Sequence, residues 1–160
     1  KEVATAKGRL ESITIIPENP QARHESLRAI EEADFITMGP GSWLTSVLPH
    51  LMVPAQRDAL CATKAKKIIL LNLDAHPSLA GDEFAGYTPE EHLQLLNQYA
   101  PSLRFDYVVA DQSGVKDRHN LEAVVEGFGG ELILGDVRRA PGAIHHDIAK
   151  LNSIFRSIFK

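Results

Sequence analysis

The fold is read from one stretch, Ala33-Asp34-Phe35-Ile36-Thr37-Met38-Gly39-Pro40-Gly41-Ser42-Trp43-Leu44-Thr45-Ser46-Val47-Leu48-Pro49. A partly β-branched apolar run stops at Gly39-Pro40-Gly41-Ser42 and resumes at helical spacing with Leu44, Val47 and Leu48. That is how a strand hands over to a helix N-terminus in an α/β sheet, where a phosphate is commonly held. Two glycines let backbone approach a ligand, and Pro40 fixes one φ angle between them. Ser42, Thr45 and Ser46 add three hydroxyls among N–H groups that the first helical turn cannot pair. The stretch is therefore a candidate anion site. The same strand, Gly/Pro turn and serine-capped helix also serve as a plain connection.

Outward from this turn, the chain reads as alternating strands and helices. Arg9 to Ile16 alternates crudely and ends at Pro17-Glu18-Asn19-Pro20, which suggests a strand and a rigid turn. Gln21 to Ala33 has helical spacing and delivers the chain to a strand at Asp34–Met38. Pro49 and Pro54 should divide a short helix from a second one over about Ala55 to Ala62. Lys67 to Leu73 is a continuous apolar run of the kind buried on both faces of a parallel sheet, so it is expected to be central. Thr88-Pro89-Glu90-Glu91 has the form of a capping box with Pro at N1. A strand over Phe105 to Ala110, a helix over Leu121 to Phe128 ended by Gly129-Gly130, and a strand over Glu131 to Leu134 follow. Asp147 is placed to cap a last helix whose apolar side is Ile148, Leu151, Ile154, Phe155 and Ile158. The class is α/β, a Rossmann-like three-layer parallel sheet of about five strands with helices on both faces.

Composition limits the function. The chain has 160 residues, 44% hydrophobic and 24% charged, which is enough apolar material for a real core and argues against disorder. A net charge of −4 argues against a nucleic-acid surface, since the one basic cluster, Lys64, Lys66 and Lys67, precedes a strand and reads as a solvated edge. A single cysteine, Cys61, cannot close an internal disulfide, so a cytoplasmic, reducing setting is expected. No run is apolar enough to span a membrane, and no signal peptide is visible.

At the carboxyl ends of the expected strands, three loops share one address: Gly39 to Ser46, Asn72 to Tyr87, and Asp111 to Gly114. Asn72 reads either as a ligand contact or as an amide that caps backbone. The histidines (His24, His50, His76, His92, His119, His145 and His146) lack zinc-type spacing, and no metal is assigned. On a regular strand the adjacent His145 and His146 would point to opposite faces. No catalytic residue is assigned either. Ser42 is not in a Gly-x-Ser-x-Gly elbow, because Leu44 stands where the second glycine would be, and Asp74, Asp82 and Glu83 read as solvated turn acids.

The string from Ala33 to Pro54, including Gly-Pro-Gly-Ser-Trp-Leu-Thr-Ser-Val-Leu-Pro, resembles the YvcK/CofD-like family, which joins gluconeogenesis factors to 2-phospho-L-lactate transferases. The resemblance runs from near Leu10 to the end and is to the C-terminal half of a single family domain. It implies that a second glycine-rich phosphate loop belongs to an N-terminal half outside this chain, which begins at Lys1. The second loop departs from the family pattern: His76 replaces a usual Gln, the Thr positions are lost, and Gly86-Tyr87 retains the pattern's Gly and aromatic residue. His146-Asp147 matches a His-Asp/Asn near the family's C-terminus, with His145 where many members have Arg, so a diphosphate contact there would be weaker or sensitive to pH.

The resemblance is nearer to the gluconeogenesis-factor branch. It implies a regulator of central carbon metabolism, cell shape and cell-wall precursor supply that binds a UDP-N-acetylglucosamine-type nucleotide sugar without an established catalytic turnover. The implied ligand residues are Gly39, Pro40, Gly41, Ser42, Thr45, Ser46, Asn72, His76, Gly86, Tyr87, His145 and His146. The alternative is a phospholactate transferase-like enzyme of deazaflavin coenzyme synthesis. Protein partners in cell-wall synthesis and a homo-oligomer are left open, and neither nucleic acid nor membrane is expected as a partner.

Overall fold

A computed structural model describes residues 12–73 and 87–159. In chain order the elements are α1 (His24–Glu32), β1 (Phe35–Met38), a π-helical turn (Trp43–Val47), α2 (Leu48–Met52), α3 (Pro54–Ala62), β2 (Lys66–Leu70), α4 (Pro89–Tyr99), β3 (Tyr107–Asp111), α5 (Arg118–Gly127), β4 (Glu131–Gly135) and α6 (Ile148–Ile158). The strands form one parallel sheet in the order β1-β2-β3-β4. Right-handed crossovers between sequential parallel neighbours put every connecting helix on one face, and the packing follows that rule.

The period-2 alternation of β-strands sorts the side chains. Met38, Ile69, Val108 and Ala110 join Leu51, Leu60, Leu93, Leu96, Leu121 and Val125 in the larger core under α1 to α5. Ile68, Leu70 and Val109 face the other way, onto Leu151, Ile154, Phe155 and Ile158 of α6. Because β2 is buried on both faces from Lys67 to Leu70, its sequence could be apolar without alternation. It is central, as expected. The α/β, Rossmann-like class with helices on both faces holds, with α6 supplying the second layer among the described residues.

Several expectations are corrected. Residues 12 to 16 of the anticipated first strand form no strand. Proline at 17 cannot donate to a ladder, and the Ile13 amide donates instead to the Tyr99 hydroxyl at 3.1 Å. Four strands are therefore described rather than five. Pro49 does not end a helix. It sits in the first turn of α2, directly after the π-helical turn, where its missing N–H costs nothing. Pro54 opens α3, and α1 starts at His24 rather than Gln21. The lysines at the start of β2 are not all solvated: Lys67 is 6% exposed, and its Nζ donates to the Thr63 and Ala65 carbonyls at 3.1 and 3.2 Å. Lys66 pairs with Asp106 at 2.6 Å.

Two helix starts are as expected, whereas α5 begins at Arg118, capped by Asp117, rather than at Leu121. Thr88 and Glu91 close the expected capping box. Asp147 caps α6 by accepting from the Lys150 amide at 3.0 Å, which holds its carboxyl below the usual range. No helix among the described residues is long and apolar enough to cross a membrane.

Candidate functional site

The carboxyl ends of β1, β2 and β3 open onto one edge of the sheet, and three segments meet there. The first is the turn after β1. Gly39 has φ +80° and Gly41 φ +153°, both values that favour glycine, and the Gly39–Pro40 peptide is cis. The two glycines have different reasons. A Cβ on Gly39 would lie 2.5 Å from the Leu70 carbonyl oxygen, so this glycine serves close packing against β2. A Cβ on Gly41 would meet only the Ser46 side chain, at 3.4 Å, so this is the glycine whose bareness serves the turn and its open side.

The hydroxyls of the turn are partly engaged with one another. Ser42 Oγ accepts from the Thr45 amide at 3.0 Å and from Thr45 Oγ1 at 2.6 Å, and the Ser46 amide donates to the Ser42 carbonyl at 2.8 Å. The serine therefore acts as the N-cap of the π-helical turn. Trp43, 3% exposed, anchors that turn by stacking on His92 of α4, with ring centroids 4.9 Å apart. Burial drives the His92 imidazole down to about 4, against a small opposing pull from Glu91, so it is neutral near pH 7. Tyr87 approaches the same histidine at 6.0 Å.

The second segment begins with Asn72. Its amide oxygen accepts from the Gly41 N–H at 2.9 Å and its amide nitrogen donates to the Gly41 carbonyl at 2.8 Å. The side chain thus ties the turn to the end of β2. His76 and Gly86, the other candidates in this loop, lie outside the described residues, as does the acidic stretch with Asp74, Asp82 and Glu83.

The third segment is the loop between β4 and α6, laid over the same edge. Arg138 and His146 form an isolated antiparallel bridge, and the Arg139 amide donates to the His145 carbonyl at 3.0 Å. In such a ribbon, side chains alternate. Arg138 is 7% exposed and His146 half-buried, whereas Arg139 and His145 are exposed. The adjacent histidines thus occupy opposite sides, as their spacing implied. The Nε2 of His146 is buried and has no hydrogen-bond partner among the described residues. Burial lowers its pKa, outweighing the Leu71 carbonyl and Asp111, which favour the protonated ring.

The sequence places Asp111 in one of the three loops of the site, but not as the group that holds the β4–α6 loop. Asp111, 4% exposed at the end of β3, accepts from the Val137 and Arg138 amides at 3.0 Å each through Oδ2. Its Oδ1 accepts from the Ser113 amide at 3.1 Å, the Ser113 hydroxyl and Arg138 Nε at 3.4 Å. Burial alone would raise its pKa, but these donors and the guanidinium hold it below the usual carboxylate range. The available signal was an acid ending an apolar strand, Tyr107-Val-Val-Ala-Asp111, with the short donor Ser113 two residues on. No group of three or more His, Cys, Asp or Glu residues suited to a metal occurs among the described residues.

Comparison with known proteins places this geometry in a family. The family model described as 2-phospho-L-lactate transferase CofD matches residues 1–128. A Mycobacterium tuberculosis protein named "Putative gluconeogenesis factor" is 35% identical over 159 residues, covering 98% of this chain and 45% of the relative. The gluconeogenesis factor of Bacillus subtilis is 27% identical over 166 residues, covering 95% of this chain and 51% of the relative. The chain thus spans about half the length of the curated relatives it matches. A crystal structure of a UPF0052-family protein from Bacillus halodurans superposes with a TM-score of 0.78 at 23% identity, over 99% of this chain and 53% of that one, and so supports the fold. The chain belongs to the CofD family, and its curated relatives bear the name gluconeogenesis factor.

Proposed function

We propose that this chain forms part of a nucleotide-sugar site in a regulator of carbon metabolism and cell-wall precursor supply. The observation that carries the reading is the Asn72–Gly41 pairing, which fixes a bare glycine turn and a helix N-terminus at the carboxyl edge of the sheet. A turn leading into a helix N-terminus suits a diphosphate, because N–H dipoles bind anions without the desolvation cost of a lysine; the Gly41 N–H is itself taken by Asn72, so Gly41 contributes close approach rather than a donor. Gly41, Ser42, Thr45 and Ser46 would line the phosphate side, with Gly39 and Pro40 shaping the turn. Asn72 would position the turn and His146 would border the ligand. Tyr87 would border the second side, with His76 and Gly86 kept as candidate contacts from the sequence alone, and His145 beside Arg139 would add peripheral donors. The names of the relatives favour a metabolic regulator over a catalyst.

The test is calorimetric titration of the full-length protein with UDP-N-acetylglucosamine, UDP-glucose and GDP. Saturable binding of a UDP-sugar, recovered intact by mass spectrometry, is expected. The absence of binding to all three would overturn the reading.

A second reading follows from the family model's own description, 2-phospho-L-lactate transferase. Here the same turn would hold the phosphate of a transferred phospholactyl group. Transfer to a deazaflavin alcohol in the presence of a divalent metal would establish it and displace the regulator reading.

A further inference from the structure

We infer that Asp111 is a positioning residue: its carboxylate suspends the β4–α6 loop from the end of β3 and so sets His146 against the carboxyl end of β2. The ligand that the positioned histidine serves rests on the nucleotide reading above. The positioning itself does not.

The path is short and continuous. Both oxygens of a nearly inaccessible carboxylate are occupied, Oδ2 by the Val137 and Arg138 amides and Oδ1 by Ser113 and the Arg138 guanidinium. Val137 and Arg138 are also the residues that the histidine end of the loop pairs with. The Asp147 amide donates to the Val137 carbonyl at 2.8 Å, and Arg138 bridges His146 directly. The rest of the loop closes on Arg138. Its Nη1 donates to the Ala143 carbonyl at 2.7 Å, and its own carbonyl accepts from Lys150 Nζ at 2.7 Å. The bonds from Asp111 to Val137 and Arg138 therefore end on the two residues that pair with Asp147 and His146, while Ser113 steadies the carboxylate from the β3 side.

Stability alone is a weak account of this arrangement. A buried ion pair is often no better than apolar packing of the same volume. Turning two successive amides toward one carboxylate instead fixes a loop at a chosen height above a sheet. A second aspartate provides an internal comparison. Asp106, at the opposite, amino end of the same strands, also bridges elements: it accepts from the Lys67 amide at 2.9 Å and pairs with Lys66. It likewise combines a backbone amide with a cation, though it is more exposed, and it is remote from the candidate site.

The experiment uses the full-length protein with Asp111→Asn and Asp106→Asn, three readouts and UDP-N-acetylglucosamine as probe. Asn at 111 presents an NH2 toward one set of donors, so the Val137 and Arg138 amides should lose hydrogen-exchange protection and the His146 imidazole resonances should move. Affinity should fall about tenfold or more. Asp106→Asn should lower Tm comparably yet leave the His146 resonances and, within about twofold, the affinity unchanged. Equal effects of the two variants on His146 and on affinity would overturn the inference, as would an unmoved His146 in Asp111→Asn. If Asp111→Asn does not fold, Ser113→Ala removes one donor and should shift the same resonances less, in the same direction; no shift refutes the inference. A wild-type protein that binds no nucleotide defeats the functional reading alone, and the His146 resonances and amide protection then decide the positioning.

Discussion

Asn72 pairs through its side chain with both backbone polar groups of Gly41, keeping the 31-residue offset that relates β1 to β2 in the sheet. The backbone ladder ends at Met38 and Ile69, and a side-chain amide carries its pattern on to the turn. Only an amide offers one acceptor and one donor in that geometry. This suggests a separation of roles. Asn72→Ala should cost about 1 kcal/mol of stability by loss of two exposed hydrogen bonds. Asn72→Asp retains the acceptor for the Gly41 N–H but brings a negative charge to the proposed anion site. Nucleotide affinity measured by calorimetry should therefore fall well below that of the alanine variant. Equal affinities would place the anion elsewhere.

The two glycines of the turn should separate folding from binding. Gly39→Ala forces a Cβ against the Leu70 carbonyl at a φ of +80°, and a loss of at least about 2 kcal/mol in urea unfolding is expected. Gly41→Ala makes ordinary contact with Ser46, so its cost should be nearer 1 kcal/mol, from backbone strain alone. Its principal effect should be on affinity. A Gly41→Ala protein that binds normally would remove this residue from the site.

How much of this was legible in the sequence depended on how local the cause was. The capping box at Thr88, the cap at Asp147 and the hand-over from β1 to the turn are set by residues within a few positions of each other, and all were readable. So was β2, because burial on both faces makes a strand continuously apolar. The π-helical winding of Trp43–Val47 was not readable, and neither was the stacking of Trp43 on His92, almost fifty residues away in sequence. Nor was the fate of residues 12 to 16, whose alternation suggested a strand but whose Ile13 amide is taken by Tyr99. Asp111 looked like a loop acid because its donors, Val137 and Arg138, come from the next strand's loop.

The burial of His92, which stacks on Trp43, makes stability depend on pH. In the folded protein His92 titrates near 4, whereas an unfolded histidine titrates near 6.5. The unfolded chain therefore binds the proton first, and the contribution is complete above about pH 6.5 and lost progressively toward pH 4. The loss should be on the order of 3 kcal/mol at most. His92→Phe retains an aromatic partner for Trp43 and cannot titrate. Its Tm should change less than that of the wild type between pH 7 and 4.5, and parallel curves for the two proteins would contradict the assignment.

The ribbon geometry of the β4–α6 loop ranks its two histidines. His146 is half-buried, its ring hydrogen-bonded to the Leu71 carbonyl just after β2 and its Nε2 inaccessible, while His145 and its neighbour Arg139 lie on the exposed side. A ligand seated on the Gly41 turn meets the inner side of the ribbon first. His146→Gln should then weaken nucleotide binding about fivefold or more, the loss of a well-placed hydrogen bond being worth about 1 kcal/mol. His145→Gln should change affinity by less than about twofold, the scale of an exposed contact. Because burial lowers the pKa of His146, the ring is neutral near pH 7 and serves as a fixed hydrogen-bonding group. Affinity should accordingly be flat from pH 7 to 8 and rise only as acid protonates the ring and adds a positive charge facing the phosphates. The reverse ranking, with His145→Gln the more damaging, would show that the ligand lies over the outer face of the loop, beside Arg139.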